Sequence, residues 1–130
     1  MTSWQPRELD AIGRADELQI ITRRADGSNR PPVPIWVVRD GDDIYVRAYR
    51  GTGSDWYRHA TRDQIGRIRV PGLEREVLFE PASDESTGVQ IDEAYRVKYA
   101  RYGNTYVKPM TASAAKHATL RLIPRNNEDT

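Results

Sequence analysis

Alternating apolar and polar positions recur along most of the chain, and this period of two predicts strands. Segment 18–23 (Leu-Gln-Ile-Ile-Thr-Arg) reads as a strand, followed by a turn over 25–30 whose strongest signal is Asp26-Gly27. Segment 33–39 (Val-Pro-Ile-Trp-Val-Val-Arg) is a second strand, rich in β-branched and aromatic residues. Pro34 within it implies a sheet edge or a bulge near its start. Asp40-Gly41-Asp42 turns the chain into a third strand over 44–49. Strands over 66–70 and 73–81 are joined by Pro71-Gly72, and a last strand covers 117–124. In the 66–81 hairpin Ile68, Val70, Val77 and Phe79 face inward. Arg67, Arg69, Glu76 and Glu80 face outward, which sets up cross-strand Arg–Glu pairs. On the last strand Leu120 and Leu122 face in, Thr119 and Arg121 out.

Helical spacing is found in three places. Ser3 can cap a first helix, Pro6 suits its first turn, Leu9 and Ile12 share a face, and Trp4 can staple onto it. A second helix over 55–63 follows Ser54, a good N-cap. A third, over 91–102, puts Ile91, Tyr95, Tyr99 and Tyr102 on one stripe. A short turn or helix near 111–116 leads to the last strand. About six mostly antiparallel strands with three peripheral helices predict a small β-barrel, mainly β or α+β. The connections among the first three strands are too short for parallel crossovers, which speaks against a doubly wound fold. One domain over 1–130 is expected, with 1–7 and 126–130 flexible and 83–88 the least globular internal stretch.

Composition narrows the function classes. The 130 residues carry 20 Lys+Arg against 19 Asp+Glu, a formal charge of +1, which speaks against a general nucleic-acid binder. No cysteine is present, so disulfide scaffolds, zinc fingers, iron–sulfur sites and thiol nucleophiles are excluded. No apolar run reaches ten residues and no apolar segment opens the chain, so neither a membrane helix nor a secretory signal is expected, and the reading is cytoplasmic. Lysine occurs only at Lys98, Lys108 and Lys116 among many arginines. Anion recognition and GC-rich codon usage both account for that bias.

The best chemical candidate is the strand–glycine–helix junction over 47–59 (Arg-Ala-Tyr-Arg-Gly-Thr-Gly-Ser-Asp-Trp-Tyr-Arg-His). Glycines let backbone approach a ligand, and a helix start offers free N–H groups. Arg47 and Arg50, with the Thr52 and Ser54 hydroxyls, add phosphate-compatible donors, and Trp56 adds a flat surface. A plain glycine loop with an N-cap fits the same residues, and Asp55 opposes a bound anion. The spacing matches neither a Walker loop nor a dinucleotide fingerprint. Tyr45, Arg47 and Tyr49 share one face of their strand, which is a solvated face, an interface or a ligand wall. The tyrosine stripe with Tyr106 either lines a pocket or packs a helix onto the sheet. His59 and His117 lack carboxylates at ligand spacing, so no metal site is predicted, and His59 is expected to pair with Asp55. No side chain stands out as proton donor or acceptor, so catalytic residues stay unassigned.

The blocks at 8–13 (Glu-Leu-Asp-Ala-Ile-Gly), 32–38 (Pro-Val-Pro-Ile-Trp-Val-Val), 41–47 (Gly-Asp-Asp-Ile-Tyr-Val-Arg), 94–103 (Ala-Tyr-Arg-Val-Lys-Tyr-Ala-Arg-Tyr-Gly) and 120–125 (Leu-Arg-Leu-Ile-Pro-Arg) carry a family resemblance. Together they resemble a bacterial family catalogued as a domain of unknown function, placed with the FMN-binding split barrels beside pyridoxamine-phosphate-oxidase-like proteins. A weaker resemblance, to deazaflavin-dependent nitroreductases, rests on the hairpin 22–30, Pro34-Ile35, Asp40-Gly41-Asp42, the loop 49–53 and Trp56-Tyr57-Arg58-His59. It implies a cofactor site made by Thr22, Arg30, Trp36, Arg47, Arg50, Gly51, Trp56 and His59, for FMN or 8-hydroxy-5-deazaflavin. It also implies a split β-barrel and a homodimer, with the Tyr45–Arg47–Tyr49 face suited to the interface. Three departures bear on the phosphate grip: Asp26 stands where the relatives offer Ser, Tyr49 replaces a loop Ser, and His59 replaces Asn. Three functions stay open. One is a flavin- or deazaflavin-dependent oxidoreductase reducing a small organic acceptor. Another is a non-catalytic module for a flavin, a phosphorylated metabolite or a tetrapyrrole. The third is a cofactor-free interaction dimer.

Overall fold

The segment predicted as one strand over 33–39 breaks at Trp36, and that break organises the molecule. In the computed structural model, which describes residues 3–125, its first half is β2 (Val33–Ile35) and its second half β3 (Val37–Asp40). The other strands are β1 (Leu18–Thr22), β4 (Asp43–Arg47), β5 (Ile65–Val70), β6 (Leu73–Pro81) and β7 (Thr119–Pro124). All seven form one antiparallel sheet in the order β2-β1-β5-β6-β7-β4-β3. The two edges, β2 and β3, are consecutive in the chain and separated by Trp36 alone. The sheet therefore curls until its edges nearly meet, giving a split β-barrel of seven strands instead of the expected six. Exposed Pro34 sits on edge strand β2, where a missing N–H costs no ladder bond.

Alternation sorts side chains into two cores. Leu18, Ile20, Val37, Ile44, Val46, Ile68, Val77, Phe79, Leu120 and Leu122 fill the barrel, closed by Leu9 and Ile12 of α1 (Pro6–Arg14) and by Tyr57 and Ala60 of α2 (Asp55–Asp63). Val38 and Tyr45 point the other way, into a second layer beneath α3 (Glu85–Lys98), with Ile91, Tyr95 and Tyr99. Val107 and Met110 of α4 (Asn104–Met110) complete that layer. A fifth helix, α5 (Ser113–His117), precedes β7. Inside the barrel Gly66 admits no side chain. A Cβ there would lie 2.6 Å from both the Ile21 carbonyl oxygen and the Phe79 ring.

Several expectations are corrected. Among the described residues there are five α-helices where three were expected, the short turn or helix foreseen near 111–116 being α5. Segment 83–88 is not loose: Asp84 caps α3, accepting the Thr87 amide at 3.0 Å, so the helix begins six residues before Ile91. Gln5, not Ser3, is the N-cap of α1, with a capping box to Glu8. Trp4 is buried and its indole donates to the Leu122 carbonyl at 3.0 Å, so this part of 1–7 is tied to the barrel. The flexibility expected at 1–2 and 126–130 lies outside the described residues. Cross-strand Arg–Glu pairs form, but chiefly with Glu74 and not with the expected Glu76 and Glu80: Arg67 and Arg69 reach Glu74 at 3.0 and 2.8 Å, Arg67 lies 3.9 Å from Glu76, and Glu80 pairs with Arg121. No helix among the described residues is long and apolar enough to cross a membrane.

The face of Tyr45 and Arg47 is neither solvated nor free for a partner, because α3 and α4 cover it. Arg47 is 1% exposed. Its guanidinium donates to Asp92 Oδ1 at 2.5 Å, to the Met110 carbonyl at 2.9 Å, to Thr119 Oγ1 at 3.0 Å and to the Gly88 carbonyl at 3.1 Å. Thr119, predicted to face out, is fully buried for the same reason. Lys116 Nζ approaches the other Asp92 oxygen at 3.0 Å. One side chain thus pins α3, the end of α4 and β7 to β4.

Two predictions follow from this packing. Arg47→Met leaves Asp92 buried with only Lys116, and removing one partner of a buried pair costs about 3 kcal/mol. Urea unfolding should show that loss, while Arg69→Ala on the surface leaves the midpoint near wild type; equal losses would refute the pinning role. The second concerns Lys98, whose ammonium donates to the Val37 carbonyl at 2.8 Å. Burial holds its pKa down at about 8, against 10.5 for the free amine, with Asp16 partly offsetting. Between those values the unfolded chain binds more protons than the folded one, so stability should rise with pH from about 8 to 10. Above pH 10 the trend reverses, because burial raises the pKa values of Tyr95 and Tyr99 and keeps both phenols neutral while they ionise in the unfolded chain. Lys98→Met should abolish the rise; a variant that keeps it would refute the assignment.

Candidate functional site

Trp36 occupies the split between the barrel edges, and its surroundings follow from that position. Tyr99, the C-cap of α3, stacks on it, ring centroids 3.8 Å apart and planes 1° from parallel, and Tyr102 leans on both rings. The Tyr99 hydroxyl is held by the Val37 backbone at 3.0 Å and donates to the Asp16 carbonyl at 2.8 Å. One face of Trp36 is therefore covered, and the half-buried remainder lines a cleft of about 880 Å³. That size and aromatic lining suit a small-molecule site.

Four segments form the walls. The split gives Ile35 and Trp36, and the exit of β4 gives Tyr49 and Arg50. The 3₁₀ turn Gly51–Gly53 and the start of α2 give Gly53, Ser54, Asp55 and Trp56, and α4 gives Thr105, Tyr106, Pro109 and Met110. Glu17, just before β1, closes one side. Tyr49 and Tyr106 are well exposed. Arg50 is exposed and donates from Nε to the Tyr49 hydroxyl at 2.9 Å. Gly51 has φ +84°, which favours glycine, and a Cβ there would come within 3.3 Å of Ala114 Cβ. Its role is to let the turn lie against α5.

The residues nominated by the sequence divide into two groups. Trp36, Arg47, Arg50 and Trp56 line the cleft, whereas Gly51 is buried against Ala114 and is not among the lining residues. Thr22, Arg30 and His59 do not line it. Thr22 is buried at the end of β1, the Arg30 amide donates to its carbonyl at 2.8 Å, and Arg30 lies 4.0 Å from Asp63 at the end of α2. His59 has its imidazole pKa lowered, by burial first and then by Arg30 and Arg62. The Asp55–His59 pair expected from their spacing is not formed, because Asp55 bonds Arg58 one residue earlier. Arg47, nominated as a free donor, has four of its five N–H groups committed within the protein.

Glu17, Thr105, Pro109 and Met110 were not foreseen. Pro109 breaks the helical pattern, and α4 is seven residues long, so no periodicity marks this wall. Of the two readings left open for the tyrosine stripe with Tyr106, core packing holds for Tyr95 and Tyr99, which pack the helix onto the sheet, and Tyr106 lines the cleft. A smaller cleft of about 330 Å³ between α1 and α3 holds Lys98 and none of the nominated residues.

Solved structures share this architecture. A candidate pyridoxamine 5′-phosphate oxidase of Listeria innocua is similar at 14% identity and a TM-score of 0.62, over 92% of both chains. A heme storage protein of Vibrio cholerae is similar at 11% identity and a TM-score of 0.65, over 95% of this chain and 91% of that one. A FAD-binding protein of Mesorhizobium loti is similar at 15% identity and a TM-score of 0.62, over 95% and 92%. No curated protein matches the chain. The family model described as an uncharacterized protein conserved in bacteria (DUF2255) matches residues 8–122, and this split barrel with its Trp36 cleft belongs to that family.

Proposed function

We propose that the Trp36 cleft binds a flavin- or deazaflavin-type ring, and that the protein serves as a cofactor-binding split barrel of oxidoreductase type. The observation that carries this reading is Trp36 itself, stacked on one side by Tyr99 and lining an 880 Å³ cleft with Trp56, Tyr49 and Tyr106. A flat heteroaromatic ring entering there would meet indole and phenol surfaces whose orientation is already fixed. That FAD-binding and heme storage proteins share the fold supports a cofactor role. A bound flavin or deazaflavin would supply hydride chemistry to a small organic acceptor. The chain's own part is positional. Trp36 and Trp56 shape the ring site, Arg50 marks its charged side, and Tyr106 and Pro109 shield it from water.

A non-catalytic binding role is the second reading, and one observation favours it. The strongest polar group at the cleft, Arg47, is used up in holding the fold, and His59 lies elsewhere. Any chemistry would then belong to the ligand. A homodimer is part of the same proposal, but through surfaces other than Tyr45 and Arg47; gel filtration reads it, and a monomer overturns that part.

Titration of the purified protein with FMN, FAD and 8-hydroxy-5-deazaflavin, followed by tryptophan fluorescence, tests the site. At least one should bind and quench emission, since two of the three tryptophans line the cleft. Loss of a stacking partner costs roughly 1–3 kcal/mol, so Trp36→Ala and Trp56→Ala should each weaken binding about tenfold or more. Absence of binding by all three, or unchanged affinity in both variants, overturns the reading. Binding without turnover of quinones, nitroaromatics or enones by the reduced cofactor leaves the non-catalytic role standing.

A further inference from the structure

The cleft holds a ring surface but little that would hold a phosphate. Two of its lining side chains are cationic. Arg47 is answered by Asp92 at 2.5 Å, with side chains 0% and 6% exposed, so its charge is neutralised within the protein. Arg50 is the cation left to a ligand among the described lining residues. Two carboxylates line the same cleft, Glu17 and Asp55, both exposed. Asp55 sits in the first turn of α2, where its charge answers the helix dipole that would otherwise attract an anion. Thr22 and Arg30, offered to a phosphate by the sequence resemblance, lie outside the cleft and hold each other and Asp63. A phosphate monoester carries about −1.5 to −2 charges at neutral pH. Asp55 is already paired with Arg58, so a phosphate would meet Arg50 against Glu17, a balance with no net attraction.

We infer that the cleft selects a planar heteroaromatic ligand with at most one negative charge, held by its ring and not by a phosphate. This rests on the reading above that the cleft takes a flavin-type ring, and it sharpens the ligand class from nucleotide-like cofactors to their unphosphorylated ring systems. Glu17 and Asp55 are the specificity-determining residues. Arg50, already shared with Tyr49, is sufficient for one carboxylate or phenolate.

The test compares riboflavin, FMN and FAD by tryptophan fluorescence at fixed ionic strength, in the wild type and in Glu17→Gln/Asp55→Asn. Both substitutions are on exposed side chains and leave the cores intact. Riboflavin should bind, with FMN and FAD tighter by less than about threefold, whereas phosphate-directed sites gain far more from charge-assisted pairing. In the double variant FMN should gain on riboflavin by about fivefold, because two repelling charges are removed. An FMN preference of threefold or more in the wild type overturns the inference and leaves the flavin-ring reading intact. A ratio that the double variant does not move overturns the assignment to Glu17 and Asp55. Failure of every flavin to bind overturns the ring reading, and the inference falls with it.

Discussion

The buried Arg47–Asp92 pair is the contact on which the outer layer depends. Removing an arginine and an aspartate from water is costly, and the cost is offset only where geometry is good and remaining donors are satisfied. Here the pair is supplemented by two backbone carbonyls and the Thr119 hydroxyl, drawn from α3, α4 and β7. Among the described residues, the buried polar side chains of these elements, Asp92 and Thr119, both meet at this guanidinium. The arrangement fixes α4, and α4 supplies Thr105, Tyr106, Pro109 and Met110 to the cleft. The wall of the site is thus a consequence of how a charge was buried.

Trp36 links that layer to the barrel. A barrel whose edges are adjacent in sequence must turn sharply between them, and the turning residue can belong to neither strand's ladder. Its side chain is then free to leave the barrel core. It does so beside Tyr99, whose hydroxyl holds both Val37 and the Asp16 carbonyl, so the aromatic stack is braced at both ends. The same stack that closes the fold presents a flat wall to the cleft. Fold stability and ligand shape rest on the same residues, so changes at Trp36 act on both.

Much of this was legible in the sequence, for reasons that can be named. Hairpin-linked strands were readable because a half-buried strand writes a period of two, and Asp-Gly and Pro-Gly turns mark its ends. The 47–59 junction was readable as a site because glycines, a helix start and an indole cluster locally. The break at Trp36 was not, since 33–39 has continuous strand composition and only the pairing partners differ between its halves. Nor was the fate of Arg47. Its partner Asp92 lies 45 residues away on a helix, and alternation alone cannot tell a covered outer face from a wet one. For Thr22, Arg30 and His59 the resemblance named the elements, but Arg30 closes on Thr22 and Asp63, and none of the three lines the cleft.

The corrected placement of Arg47 changes what kind of site this is. In a cleft with two free guanidinium groups, electrostatics would dominate recognition, and affinity would fall steeply with salt. With one of them locked to Asp92, Glu17 balancing the other and Asp55 answered by Arg58, the net field is close to zero and the aromatic walls remain. Shape and stacking then decide affinity, and they are indifferent to what hangs from the ring. Under the proposed reading, a protein built this way keeps the barrel and ring pocket of a cofactor binder while relaxing its demand for a nucleotide tail.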